Sequence, residues 1–369
     1  MQTRQPKQNL LGLSQQGLEK FLSEIGERSF HARQVMQWIH QRKTYNFDAM
    51  TDLSKSLREH LIKIATIELP TVISMDKSSD GTIKWLFESG NNQAVESVFI
   101  PEPDRGTLCI SSQVGCALDC TFCATGAQGF NRNLGAEEII GQVSYVNSVL
   151  PRRPNDKPAV TNVVFMGMGE PLANYRSVIA SIKILISDYA YGISRRRITV
   201  STSGIVANIA KLSEDCNVSL AVSLHAPNNE LRDQLVPINR IHPVDELLDA
   251  CWEYAKKRSN RFITFEYVML KDVNDSIDCA IELAKLLEGK PAKVNLIPFN
   301  SFPGNDYVCS PSKNIRRFQQ QLRNLGIVVT TRKTRGADIH AACGQLTGKV
   351  SDKILFRLGK KIGIAESNG

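Results

Sequence analysis

Cys116, Cys120 and Cys123 stand as C-x-x-x-C-x-x-C within one short loop of this 369-residue chain. Thiolate sulfur is the usual ligand of iron–sulfur clusters, and so tight a spacing lets one loop wrap several irons. A [4Fe–4S] cluster normally takes four cysteines. Three leave one iron open to chelate a small molecule through its amino and carboxylate groups. A zinc site needs a fourth ligand and usually draws on C-x-x-C pairs with a second half elsewhere. Three cysteines packed in a core would be the plain alternative, but Thr121, Gly126 and Gly129 share the stretch, which does not read as core. Gly167-Met168-Gly169-Glu170-Pro171 is a second candidate, since glycines let backbone polar groups approach a bound molecule closely. Such a string alone is most often just a turn.

The elements around these residues decide how much the motifs mean. Apolar residues recur at helical spacing over 13–25, 30–39 and 53–64, with Ser or Asp near each start as caps. Beyond Pro70 the pattern shifts to short alternating runs, and 71–75 and 82–87 flank a Ser-Ser-Asp-Gly hairpin signal. From Gly106 strand and helix alternate: strands are expected at 107–111, 160–166, 197–201, 218–223, 262–268 and 293–297. Helices are expected at 136–150, 175–187, 205–212, 244–257, 277–287 and 314–325. Consecutive βα units imply a parallel sheet with right-handed crossovers. Eight units would close a barrel; six give a partial (β/α)6 barrel or a doubly wound sheet. Reactive groups then belong at the C-terminal ends of the strands. The cysteine loop follows the first strand and the glycine string follows the second. The fold class is therefore α/β. The expected divisions are a helical N-terminal domain over 1–70, a β-hairpin linker and extension over 71–105, a core over 106–350 and a basic C-terminal tail over 351–369.

Composition is that of an ordinary soluble globular protein, with no membrane-length apolar run and no signal-peptide pattern at the start, so the cytoplasm is the expected location. Nine cysteines in such a chain argue for metal or catalytic use over a disulfide framework. The net charge of +8 and pI of about 9.0 suit a phosphate-rich partner.

Taken together, the C-x-x-x-C-x-x-C loop after the first strand, Phe122 before its last cysteine and the glycine string after the second strand resemble the radical S-adenosylmethionine (SAM) superfamily over roughly 95–350. The resemblance implies that Cys116, Cys120 and Cys123 hold a [4Fe–4S] cluster and that SAM occupies its open iron. Cys109, Cys343 within Gly336-Ala337-Asp338-Ile339-His340-Ala341-Ala342-Cys343-Gly344-Gln345-Leu346, and Glu96 narrow it further. With Pro298-Phe299-Asn300, Ser223-Leu224-His225-Ala226-Pro227 and the helical N-terminal region, the chain resembles closely the bacterial RNA adenine C2-methyltransferases, the RlmN family.

That resemblance implies a chemistry with its own logic. Adenine C2 is an electron-poor carbon between two nitrogens and cannot displace a methyl group from SAM. In the implied route a thiolate, here Cys343, first accepts the methyl group from one SAM. A second SAM supplies a radical that activates the S-methyl group, its carbon adds to C2, and RNA becomes tied to Cys343. Glu96 matches the base that removes the C2 proton, and Cys109 the thiol that releases the RNA. A Cys109–Cys343 disulfide results and is reduced by an external thiol system. Singly, Cys109 would pass for a core cysteine and Glu96 for a solvated strand residue. Their joint occurrence in the expected order carries the assignment. SAM contacts are implied at Gly169, Glu170, Ser201, Ser223, Leu224, His225 and Asn300, although Thr202 and Ser203 could replace Ser201 as hydroxyl donors.

The implied substrates are a 23S rRNA adenosine and the tRNA adenosine next to the anticodon, each presented unstacked. An external electron donor, a thiol reductant and a monomeric state are also expected. Basic clusters lie at Arg195-Arg196-Arg197, Lys256-Lys257-Arg258, Arg316-Arg317, Arg332-Lys333 with Arg335, and Lys360-Lys361. A further stretch combines His31, Arg33, Trp38, His40, Arg42 and Lys43, a mix that suits RNA backbone and base stacking or simply a helix with one buried Trp. Three alternatives stand beside C2 methylation. One is the sister activity, methylation of adenine C8 in rRNA. The others are a non-catalytic iron–sulfur RNA-binding protein and a radical SAM enzyme acting on a small molecule or peptide.

Overall fold

The structure, a computed structural model, describes residues 7–257 and 262–349. The expected basic tail, Lys360-Lys361 and Arg258 lie outside the described residues.

The N-terminal region is helical for local reasons. Ser14 caps helix Gln15–Glu24 by accepting from Gly17 N at 3.2 Å, and Ser54 caps Lys55–Ile64 by accepting from Leu57 N at 3.2 Å. Leu18 and Leu22, then Leu57 and Leu61, bury one i, i+4 face of each helix. Between them His31–Met36 runs into a π-turn over Gln37–Gln41. This region shares the larger of two apolar clusters with the main sheet and its helices. Gln41 donates to the Asp188 carbonyl and Lys43 to the Asn147 carbonyl, which pins it to the main body.

The main sheet has ten strands among the described residues. Three antiparallel strands, Val72–Lys77, Ile83–Glu88 and Ala94–Pro101, lead by antiparallel pairing into Gly106–Cys109. The segment expected as a hairpin linker is thus continuous with the core sheet. From Gly106–Cys109 onward the neighbours are parallel: Asn162–Phe165, Ile198–Thr202, Ser219–Ser223, Ile263–Met269, Ala292–Pro298 and Val328–Thr331. Helices Ala136–Val149, Tyr175–Ile186, Val206–Asp215, Val244–Lys257, Ile277–Leu287 and Ser312–Asn324 connect them. The sheet is open, with Val72–Lys77 at one edge and Val328–Thr331 at the other, so the architecture is a partial α/β barrel. Val328–Thr331 was not among the six expected strands, although Ile327-Val328-Val329 is a short β-branched run; it follows directly on helix Ser312–Asn324 and only Val329 in the strand is buried.

Phe165, at the cavity, and Phe265, against Trp252, are almost fully buried side chains of the sheet, each contributing roughly 1.5–3 kcal/mol of apolar burial. The parallel strands all end at one rim, which brings together the segments after Cys109, Phe165, Thr202, Ser223 and Pro298.

Candidate active site

A cavity of about 970 Å³, including its open mouth, occupies that rim. Cys116, Cys120 and Cys123 form part of its wall, and it is also lined by Gly169, Glu170, Ser201, Ser223, His225, Asn300 and Cys343. They come from the segments that follow successive strands and from the Cys343 loop, as expected for a site at the strands' C-terminal ends.

The cysteine loop is held at both ends. Short strands Gln113–Gly115 and Phe130–Asn133 pair antiparallel and close its base, and Cys116 N donates to the Gly129 carbonyl at 2.9 Å. Gly115 has φ +74, and a Cβ there would stand 1.9 Å from the Gly129 oxygen, so the closure needs glycine. At the far end Ala124 N donates to the Gly344 carbonyl at 2.8 Å, which ties the loop to the residue after Cys343. Burial pushes the Cys116 thiol well above its usual range and Cys120 up to about 12, with neighbouring cysteines adding to both. As free groups these two are thiols, and binding a metal centre releases their protons.

The donor set fits a [4Fe–4S] cluster. Three sulfurs share one loop beside a cavity large enough for a second molecule. Among the described residues no three His, Cys, Asp or Glu side chains meet where a single ion would sit. In a cuboidal cluster each thiolate binds a different iron, so the ligands surround the group and do not converge on one point.

Facing the loop, Gly169 takes φ +97, and a Cβ there would lie 2.5 Å from the Gln113 Cβ. Gln113 Oε1 accepts from Glu170 N at 2.8 Å. The Glu170 carboxylate is buried and accepts from Leu172 N at 2.9 Å and Ser203 N at 2.8 Å. Burial nevertheless raises its pKa to about 7. Ser201, Thr202 and Ser203 all line the cavity, and Thr202 Oγ1 accepts from Gly204 N at 3.0 Å within its own turn.

His225 sits at φ +62, and its Nδ1 accepts from Val268 N at 3.0 Å, which leaves the ring proton on Nε2. Burial drives its pKa down to about 3, so it is neutral, with Phe122 edge-on at 4.5 Å. Leu224 is different. Its side chain is in the core, it does not line the cavity, and its N–H and carbonyl are taken by Glu266 and Arg232.

Arg232 is a residue that motif reading passed over. Fully buried, it donates to the carbonyls of Ser203, Ser223 and Leu224 and to Asn239 Oδ1, fixing two strand ends at once. Burial lowers its pKa to about 10. It looks like any arginine on helix Asn229–Leu235, and only the folded chain shows its role.

Cys343 lines a second, smaller cavity as well, of about 470 Å³ including open space, together with Cys109, Val98, Ile100 and Arg332. Neither cysteine is in a disulfide. Asn300 Nδ2 donates to the Cys343 carbonyl at 3.2 Å, and Gln345 Nε2 to the Ser301 carbonyl at 2.9 Å, which hold the Cys343 loop over the sixth strand end. Burial raises both thiols, Cys109 to about 12, and the Arg332 guanidinium opposes the shift in each.

Glu96 lines neither cavity. It lies on the same strand face as Val98 and Ile100, which do line the smaller one. Its Oε1 is 3.0 Å from Lys84 Nζ, and its Oε2 accepts from Thr347 N at 2.8 Å and Gly348 N at 3.3 Å. An antiparallel bridge between Ala94 and Lys349 completes this clasp on the segment after Cys343.

The basic N-terminal stretch is largely engaged internally. His40 is buried, Trp38 Nε1 donates to Asp52 at 2.5 Å, and Arg42 stacks 4.0 Å over the Trp38 ring.

Residues 8–67 match the family described as the ribosomal RNA large subunit methyltransferase N-terminal domain, and 110–284 match the radical SAM superfamily. The chain is 52% identical to the dual-specificity RNA methyltransferase RlmN of Francisella tularensis subsp. novicida, across 99% of this chain and 100% of that one. It also matches the crystal structure of a radical SAM methyltransferase from Sphaerobacter thermophilus with a TM-score of 0.85 and 43% identity, covering 92% of this chain and 99% of that one. With both the helical front and the catalytic sheet accounted for, the chain belongs to the RlmN family of radical SAM methyltransferases.

Proposed function

We propose that this enzyme methylates C2 of adenosine in 23S rRNA and in tRNA beside the anticodon. The observation that carries this is the position of Cys343, shared between the cavity walled by Cys116, Cys120 and Cys123 and the smaller one walled by Cys109. A direct methyl transfer has no use for such a thiol; a relay does. The full-length relative named as a dual-specificity RNA methyltransferase supports the substrate class.

Cys116, Cys120 and Cys123 would hold the cluster, which would supply the electron for reductive cleavage of SAM. Gly169, Glu170, Ser201, Ser223, His225 and Asn300 line the space in which SAM is held. Cys343, as thiolate, accepts a methyl group from a first SAM. That carbon, activated at the expense of a second SAM, joins adenine C2 and links RNA to the Cys343 sulfur. The adduct gives back the one electron spent on cleaving the second SAM, and Glu96 takes the C2 proton. The Cys109 thiolate then attacks the Cys343 sulfur, breaking its bond to the methylene carbon, which takes up a proton to become the methyl group as the disulfide forms and RNA leaves. An external thiol system then reduces the disulfide, and an external donor provides the electron.

The base must leave its stack to reach Cys343. The helical region over 1–70 serves as an RNA-contacting domain, and the core over 106–350, joined by the strands over 71–105 that carry Glu96, as the catalytic unit. Its RNA substrates put the enzyme's proposed place of work in the cytoplasm; among the described residues no helix is long and apolar enough to cross a membrane. Anaerobic reconstitution with iron and sulfide, followed by methyl-labelled SAM and RNA, tests the proposal. Label at adenine C2 is expected; label at C8, or none, overturns it.

A further inference from the structure

Five basic clusters look alike in the sequence, and the fold separates them. Arg195–Arg197 precede strand Ile198–Thr202, and Lys256 and Lys257 end the helix before Ile263–Met269, so both lie toward the strands' N-terminal rim, away from the cavities. Lys256 and Lys257 are moreover paired with Glu253 and Glu214. Arg316 and Arg317 are exposed on helix Ser312–Asn324 and line neither cavity. Only Arg332, Lys333 and Arg335, among the described clusters, wall a cavity that also contains Cys109 and Cys343.

This segment is fixed in place. Asp80, in the turn between the first two strands of the sheet, accepts from Gly336 N at 3.1 Å and stands 3.8 Å from Arg335. Asp338 accepts from Ser78 Oγ at 2.6 Å and Ser79 N at 3.1 Å in the same turn. Arg335 is therefore partly committed to Asp80. Lys333 is exposed and, among the described residues, pairs with no carboxylate.

We infer that Lys333, with Arg332 beside it, binds the phosphodiester of the extruded target nucleotide at the edge of the smaller cavity. A base that reaches the Cys343 sulfur leaves its sugar and phosphate outside, and this is the cationic edge next to that sulfur. The two pinning aspartates hold the segment rigid, so a phosphate is met by a prearranged charge with little ordering cost. The inference rests on the RNA methylation reading and assigns the residues that receive its substrate. An anion at this edge has two sources, an RNA phosphate or the carboxylate of SAM; Arg332 lines both cavities, and the phosphate is favoured because Lys333 lines only the smaller one.

Lys333→Ala, Lys333→Glu and Lys333→Arg, with Arg316→Ala as a control off the cavity, are compared in the reconstituted holoenzyme. Target RNA affinity, KM for RNA and KM for SAM are measured over a range of salt. Lys333→Ala is expected to weaken RNA binding about tenfold and to lower the slope of log affinity against log salt by about one. Lys333→Glu is expected to weaken binding further, Lys333→Arg to retain it, and Arg316→Ala to match the wild type. RNA affinity unchanged in both Lys333→Ala and Lys333→Glu overturns the inference, as does a loss confined to KM for SAM. Wild-type enzyme that methylates no adenosine would instead sink the proposed function itself, so the two failures are distinguishable.

Discussion

Cys109 and Cys343 face one small cavity as free thiols, with the Arg332 guanidinium on the same wall. Cys343 reaches that wall from beyond the last strand, and Cys109 from the end of the first parallel one. This juxtaposition suits a relay in which one sulfur carries carbon and the other releases it.

Removing either sulfur should stop the relay at a different point. Cys109→Ala is expected to form the Cys343–RNA link and fail to break it, so protein should purify with covalently bound RNA. Cys343→Ala should accept no methyl group and bind no RNA covalently. Free RNA and normal turnover in Cys109→Ala would remove its releasing role.

The release step should accelerate with pH. Burial holds the Cys109 thiol up to about 12, so near neutrality only a small fraction is thiolate. Each unit of pH below that value raises the thiolate fraction about tenfold. Decay of the preformed adduct, followed in single turnover between pH 7 and about 9, should rise with a log slope near one. Arg332→Met removes the cation that favours the thiolate and should slow decay throughout that range. A flat profile would separate Cys109 ionisation from release.

Glu96 must leave its clasp to work as a base. It is held by Lys84 and by the N–H groups of Thr347 and Gly348, outside both cavities. Glu96→Gln keeps the shape while losing the charge, and should slow adduct decay by about 10²-fold or more, the usual scale of general-base loss. Methyl acceptance at Cys343 should proceed in that variant. Equal slowing of both steps would show that Glu96 only supports the Cys343 loop.

Acid should loosen the N-terminal helices. His40 is buried near Tyr191 with neither ring nitrogen hydrogen-bonded, and burial lowers its pKa to about 3. Between pH 6.5, its usual value, and about 3, the unfolded chain binds a proton that the folded chain refuses. Stability contributed by neutral His40 is thus present above pH 6.5 and is lost as pH falls through that window. His40→Leu should flatten the decline, as measured by urea unfolding at pH 7 and pH 5. An unchanged decline would place the acid sensitivity elsewhere.

Much of this arrangement was legible in the residues. The triad spacing, the glycine string and the alternation of strand and helix placed Cys116, Cys120, Cys123, Gly169 and Glu170 at one rim because loop position follows from βα order. What stayed hidden depends on contacts between distant segments. Nothing local tells that Lys84 meets Glu96, that Arg232 gathers three carbonyls, or that Arg332 and Lys333, among the described basic pairs, border a cavity. The seventh parallel strand was missed although Ile327-Val328-Val329 marks it, because so short a run directly after a helix does not by itself read as a further sheet strand. Leu224 was grouped with Ser223 and His225 by motif, yet alternation along the chain turns its side chain into the core.

Intact-protein and peptide mass spectrometry after anaerobic incubation with SAM, in the absence of RNA, bears most directly on the methyl relay. The expected result is a single added methyl group on the peptide containing Cys343, transferred to adenine C2 when RNA is supplied. An unmodified Cys343, with label passing to RNA even in Cys343→Ala, would contradict it.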